Sequence, residues 1–196
     1  MKDPVPARVV LSDANVLYSR VLRDYLLYAA TRQLISIAWS QSILDEMTEH
    51  LQANIEGFTP DSGALLVRLM NTHFPYALTQ VVDETLERVA GAELPDEGDR
   101  HVLAAAVESG ADVLCTSNLK DFPETIVDQY GFVVQHPDEL LVGLIRSCPT
   151  EMLAVHRVSV TRLPGATDSS TVAALRRAGA PQAADAMVAL LDADQV

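Results

Sequence analysis

Four acidic side chains stand at the edges of apolar stretches. Asp13 follows Val9-Val10-Leu11-Ser12, and Glu46 lies in Ser42-Ile43-Leu44-Asp45-Glu46-Met47. Asp99 lies in Leu94-Pro95-Asp96-Glu97-Gly98-Asp99-Arg100-His101, and Asp121 in Thr116-Ser117-Asn118-Leu119-Lys120-Asp121-Phe122-Pro123. Carboxylates brought close together repel, and a hard divalent cation is the simplest group that holds them ionised in one place. The chemistry such a set could do is metal-assisted hydrolysis of a phosphodiester. Taken singly, each acid has a plain structural role. Asp13 reads as a turn or cap after a strand, Asp99 as a helix N-cap, and Asp121 as a turn former. Glu46 reads as a solvent-facing helix residue like Asp45 and Glu49. Only the ensemble argues for chemistry.

Other chemistries find less support. Ser12 and Ser117 have no histidine at a spacing that would make either a nucleophile, and no Gly-rich phosphate loop is present. His50, His73, His136 and His156 show no paired metal spacing, which disfavours zinc. His101 lies two residues beyond Asp99; on a helix that offset points it well away, so a surface or substrate-contact role is expected. Arg20, Arg23, Arg100 and Lys120 are candidates for RNA phosphates, with solvated surface as the default.

The elements that must position these groups alternate. Arg8 to Leu11, Ile35 to Ala38, Ala77 to Val82, Asp112 to Thr116 and Gly131 to Val134 read as strands. Helical spacing is expected over Val16 to Ala30, Ser62 to Phe74 and Pro137 to Ile145, over a stretch capped by Ser40 and running through Leu51, and from Asp99 to near Gly110. Such alternation predicts an α/β fold with a parallel sheet flanked by helices. In open parallel sheets sites form outside the carboxyl ends of the strands, where Asp13, Asn118 and Asp121 are expected.

The chain has 196 residues, 48% hydrophobic and 21% charged, as expected of one main globular domain with an appendage. After Cys148-Pro149 no strand is expected, only short helices over Glu151 to Val160, Ser170 to Ala178 and Gln182 to Leu191. We therefore divide the chain into a domain over 1–149 and a small all-α extension over 150–196. No apolar run exceeds six residues and no signal peptide is read at the N-terminus. Cys115 and Cys148 read as free thiols, so a cytoplasmic location is expected and no membrane partner. The net charge of −13 is awkward for a nucleic-acid enzyme and argues for a small RNA footprint, a basic partner segment, or both.

The four segments together resemble the PIN-domain ribonucleases, and among them the VapC-like toxins of toxin–antitoxin pairs. The resemblance covers roughly residues 8 to 145 and implies a PIN-like (Rossmann-like) parallel sheet, here with a C-terminal helical extension. It implies a Mg²⁺- or Mn²⁺-dependent endoribonuclease with an RNA substrate, a small antitoxin as partner, and a homodimer or toxin–antitoxin hetero-oligomer. By position, Asp13, Glu46 and Asp99 correspond to the first three acidic residues. The fourth corner departs from the commoner Thr-x-Asp-x-Asp-Phe: Asn118 stands at the first of those Asp positions, and Asp121 supplies the second, displaced by one. Asp96 is a further candidate ligand, or a loop acid. Asn15 and Thr116 are expected to orient the carboxylates, with a conventional core role as the alternative for Thr116. Glu46 is expected to hold the metal directly or through water, or to help deprotonate the nucleophile. The alternative is a catalytically weak or inactive PIN-like module that binds RNA or protein, suggested by Asn118 and the net charge. A phosphatase-like site on Asp13 is disfavoured because Asn15, not Asp, stands two residues later.

Overall fold

The computed structural model describes residues 8–194. Five strands form one all-parallel sheet: β1 (Val9–Ser12), β2 (Ser36–Ser40), β3 (Leu78–Thr79), β4 (Val113–Cys115) and β5 (Val133–Gln135), in the order β3-β2-β1-β4-β5. β1, β2 and β4 are almost wholly buried, which explains why they read as continuous apolar runs rather than alternating ones. The chain leaves β1 toward β2 and β3, then crosses back to lay β4 on the other side of β1. The strand order therefore reverses between β1 and β4, and a crevice opens at their carboxyl ends.

The expected helix over Val16 to Ala30 is two helices, α1 (Ala14–Tyr18) and α2 (Arg20–Thr31), broken at Ser19 with ψ of 112°. Neither Pro nor Gly marks the break. Instead the buried Arg23 guanidinium donates to the carbonyl oxygen of Leu17, satisfying an acceptor that the interruption leaves without a helical partner. α3 (Gln41–Asn54) starts at Ser40, whose hydroxyl accepts from the Ile43 amide. α4 (Pro60–His73) starts two residues earlier than expected, because Thr59-Pro60 is its cap and first residue rather than a preceding loop. The strand expected over Ala77 to Val82 shrinks to two residues. The chain then forms α5 (Asp83–Val89), a helix for which no signal had been found.

Beyond α5 come a 3-10 turn at Glu97–Asp99, α6 (Arg100–Glu108), a second 3-10 turn at Leu119–Asp121, α7 (Glu124–Val127) and α8 (Pro137–Ser147). Three helices follow Cys148: α9 (Pro149–Thr161), α10 (Asp168–Arg177) and α11 (Pro181–Asp194). α9 packs along α2, and α11 along α8. Burial pushes the His156 imidazole below its ordinary value. In the neutral ring Nδ1 accepts from the Tyr25 hydroxyl on α2, and Nε2–H donates to Asp168 at 3.1 Å. Among the described residues no helix is long and apolar enough to cross a membrane. Cys115 and Cys148 are free.

Asp138 is buried on α8 and accepts from the backbone amides of Gln182 (3.2 Å) and Ala183 (2.7 Å), so α8 caps the start of α11. Charge-assisted bonds to helix-terminal amides are strong. Asp138→Ala should destabilise the protein by about 1–3 kcal/mol in urea unfolding, with Asp138→Asn intermediate. An unchanged urea midpoint for Asp138→Ala would show that water replaces the cap.

Candidate active site

The register of β1 on β4 builds the site. Ser12 pairs with Cys115, and the Asp13 amide donates to the Cys115 carbonyl at 3.0 Å, so Asp13 and Thr116 leave the sheet side by side. Thr116 Oγ1 donates to Asp13 Oδ2 at 2.7 Å. Asn15 Nδ2 donates to the same carboxylate oxygen and to Thr116 Oγ1 (3.0 Å), while Asn15 Oδ1 accepts from the Ser117 amide at 3.0 Å. Asp13 Oδ1 accepts from the Ala14 amide at the start of α1. Asp13 is only 4% exposed, and desolvation pushes its carboxyl above the ordinary value despite these bonds.

Asp99 arrives from the opposite direction. Asp96 Oδ1 caps the 3-10 turn by accepting from Gly98 N at 2.8 Å. A Cβ on Gly98 would come within 3.1 Å of that oxygen, so a larger residue would require the Asp96 side chain to give way by a few tenths of an ångström. Arg100 ties the turn to the end of α5 by donating to Glu97 Oε2 and to the carbonyls of Val89 and Ala92. Asp99 stands at the N-cap position of α6, yet its side chain makes no cap bond. Its Oδ2 is buried without a hydrogen-bond partner. Burial, then the charges of Asp13, Asp121, Asp96 and Glu46, push its carboxyl up to about 6. That is the signature of a carboxylate with an unfilled electrostatic need.

Glu46, half-buried on α3, faces His101 on α6: Nε2 lies 3.3 Å from Oε2, an ion-pair separation without hydrogen-bond alignment. The contact holds the Glu46 carboxyl below its ordinary value against the opposing effect of burial. The expectation for His101 does not include this contact with Glu46. Asp99 belongs to the 3-10 turn rather than to α6, so helical offsets do not relate the two residues. Asp96-x-Gly98 was the available sign of that turn. Ser42, Glu46, Asp96, Asp99 and His101 line one open cavity of about 460 Å³.

Asp121 ends the second 3-10 turn, near enough for its charge to act on Asp99. Asn118 is exposed; its amide donates to Thr116 Oγ1 at 3.0 Å, and its side chain makes no cap bond. Of the basic candidates, Arg23 and Arg100 are engaged internally and are not free for phosphate.

Hard oxygen donors dominate this set, as Mg²⁺ or Mn²⁺ requires. Among the described residues no three His, Cys, Asp or Glu side chains close around a single point, so the acids converge as neighbours rather than as a finished cage. Their fit to a cation rests on the orphaned atoms. Three buried side-chain polar atoms lack partners among the described residues: Ser12 Oγ, Asp99 Oδ2 and His101 Nε2. All three belong to the segments that carry the acids.

The crowding has a measurable cost. With Asp13 raised and Asp99 raised from 3.8 to about 6, the folded chain binds more protons than the unfolded chain across that interval. Stability of the metal-free protein therefore falls as pH rises through it, and the loss is complete above it. The raised His101 value acts with the same sign, its stabilisation being lost as pH rises through the folded value. In a chelator at about pH 7.5, Asp99→Asn should raise the Tm, and the gain should shrink as the pH is lowered toward about 4. A variant no more stable than wild type at neutral pH would show that the carboxylates do not strain the fold.

Residues 8–120, more than half of the chain, match the PIN domain family. A curated protein of Mycobacterium tuberculosis (strain ATCC 25618 / H37Rv), "Putative ribonuclease VapC50", is 50% identical over 44 residues, which are 22% of this chain and 26% of that protein. The chain thus covers about a quarter of that relative's length. No solved structure matches. With the match running from β1 into the second 3-10 turn and ending at Lys120, and a parallel sheet whose strand order reverses at Asp13 and Thr116, the chain belongs to the PIN-domain family.

Proposed function

We propose that this protein is a Mg²⁺- or Mn²⁺-dependent endoribonuclease, the toxin of a toxin–antitoxin pair. The observation that carries the reading is Asp99, whose Oδ2 has no partner and whose carboxyl is raised first by burial and then by four neighbouring acids on a PIN-domain sheet. The ribonuclease named in the similar mycobacterial protein supports the reaction class.

In this reading Asp13, Glu46, Asp99 and Asp121 hold the ion, with Asn118 and Asp96 as outer contributors. When bound, the ion supplies Lewis acidity, lowering the pKa of water and withdrawing charge from the scissile phosphate. The protein's own groups do the rest. Thr116 and Asn15 fix the Asp13 carboxylate so that it need not reorganise. Glu46, kept ionised by His101, is available to hold the ion or to accept the nucleophile's proton. With its carboxyl pushed up to about 6, Asp99 is ionised at neutral pH at an electrostatic cost that a bound cation would offset, which couples its charge to metal binding.

The full chain should cleave RNA with Mg²⁺ or Mn²⁺ and stop on chelation. Asp13→Asn and Asp99→Asn should each lower the rate about 100-fold or more, the scale of a lost charge-stabilising group. Metal-dependent cleavage surviving both substitutions would sink the site assignment. Binding of RNA without cleavage would favour the inactive-module reading.

The antitoxin is assigned to a groove of about 1220 Å³ on α2, α3, α4 and α9, with Leu27, Leu66, Leu69 and Phe74 in its lining and Arg20 and Arg162 among its charged residues. The extension over 150–196 contributes Val158 and Arg162 to this groove, so it widens the partner surface of the 1–149 domain. A short reading frame next to the gene is the candidate partner. Its product should co-purify with the wild type and be lost with Leu69→Glu, while RNA cleavage persists. Co-purification unaffected by Leu69→Glu would move the partner elsewhere.

A further inference from the structure

We propose that Tyr18 and His50 form a stacking platform for an unpaired RNA base beside the bond that is cut, and that this platform supplies much of the substrate affinity. The proposal rests on the ribonuclease reading above and adds to it a place for the substrate.

The two helices that carry the platform also carry the acidic site. On α1, Asn15 and Tyr18 stand at i and i+3 and share a face. Asn15 is fixed on that face by its bonds to Asp13, Thr116 and the Ser117 amide. On α3, Glu46 and His50 stand at i and i+4 and share a face. Tyr18 and His50 then meet where α1 packs on α3, with ring centroids 6.5 Å apart and planes at 79°. Each ring is therefore about one helical turn, roughly 5–6 Å, beyond a group of the acidic site. His50 is near enough for its charge to act on Glu46. An edge-to-face pair occupies one face of one ring and an edge of the other, which leaves ring faces for a base. His50 is exposed and Tyr18 half-buried, whereas Tyr25, Trp39, Phe122 and Phe132 are buried in the core.

The charge of the chain favours such a platform. Phosphate contacts normally supply much of the affinity for a nucleic acid, and they need basic side chains. Here the net charge is −13, Arg23 and Arg100 are engaged internally, and Arg20 pairs with Asp24 at 3.7 Å. Stacking needs no charge. Unpaired bases offer their faces to aromatic side chains, while bases within an RNA helix keep theirs covered by their neighbours. Tyr18 also lines the groove given above to the antitoxin, so that groove begins about one turn from the acids.

The test is cleavage kinetics of the full chain with Mg²⁺ or Mn²⁺. The probe is a pool of randomised single-stranded RNAs, followed by one cleaved member remade with an abasic nucleotide at each position. Tyr18→Leu should raise KM about tenfold or more with kcat within about threefold, and Tyr18→Phe should stay within about threefold of wild type. In wild type an abasic nucleotide beside the cut should raise KM to a similar extent. In Tyr18→Leu the same nucleotide should cost nothing further, since both changes remove one contact. A purely structural role for Tyr18 would leave the abasic penalty in place. A wild-type KM in folded Tyr18→Leu, abasic penalties that simply add to its own, or loss of a co-purifying partner with KM unchanged overturns this inference and leaves the metal-nuclease reading standing. If Tyr18→Leu does not fold, the exposed His50→Ala decides: KM should rise about threefold or more, and an unchanged KM overturns the inference. A wild-type chain that cleaves no member of the pool with either metal removes both.

Discussion

The hydroxyl of Thr116 is the point on which the site is hung. A threonine hydroxyl has one proton and two lone pairs. Here the proton goes to Asp13, and the oxygen accepts from Asn15 Nδ2 and from the Asn118 amide. Its capacity is used up by three partners that come from two distant parts of the chain; Asp13 and Thr116 are 103 residues apart. The arrangement exists only because β4 lies beside β1 in one register. A slip of one residue would turn Thr116 to the other face of the sheet and dissolve all three bonds. Deep burial of both strands makes that slip costly, so the core enforces the site.

The acids place a second constraint on the same structure. Every carboxylate brought to the end of β1 raises the electrostatic cost of the next, and the net charge of −13 offers little general relief. Other acids of the chain are spent on structure. Asp112 accepts from the Val9 amide at the edge of β1, Asp138 caps α11, and Asp96 caps the turn before α6. Asp99 stands where a cap is expected and does not cap. A residue that forgoes the local bond available to it, and is left half-buried and repelled, is held there by the rest of the fold.

Much of this was legible in the sequence, for definite reasons. The parallel sheet could be read because β1, β2 and β4 are buried on both faces and so are apolar without alternation. The ends of β1 and β4 could be read because Asp13 and Asn118 interrupt those runs. The break at Ser19 could not, since no helix breaker marks it and the compensation comes from Arg23 four residues on. α5 was hidden because its exposed face is acidic and its contribution to the core is small, with Val89 its buried residue. The contact of His101 with Glu46 was not legible because it joins α6 to α3, which are distant in the sequence, and because Asp99 and His101 lie on either side of the end of a 3-10 turn. What sequence spacing conveys depends on which element both residues occupy, and that boundary is where spacing is least informative.

The extension acts on the same framework through α2. One side of that helix gives Tyr25 to His156 of α9, and another gives Arg20 and Leu27 to the groove. Its first turn is held by Arg23 reaching back to α1, and α1 begins at Asp13. A shift of α9 along α2 would therefore be felt at the groove directly and at Asp13 through α1. The His156 ring resists such a shift, since it is buried and bonded at both nitrogens, to Tyr25 and to Asp168. α9 thus packs on the element that lies between the groove and Asp13, and its His156 ties it there to Tyr25.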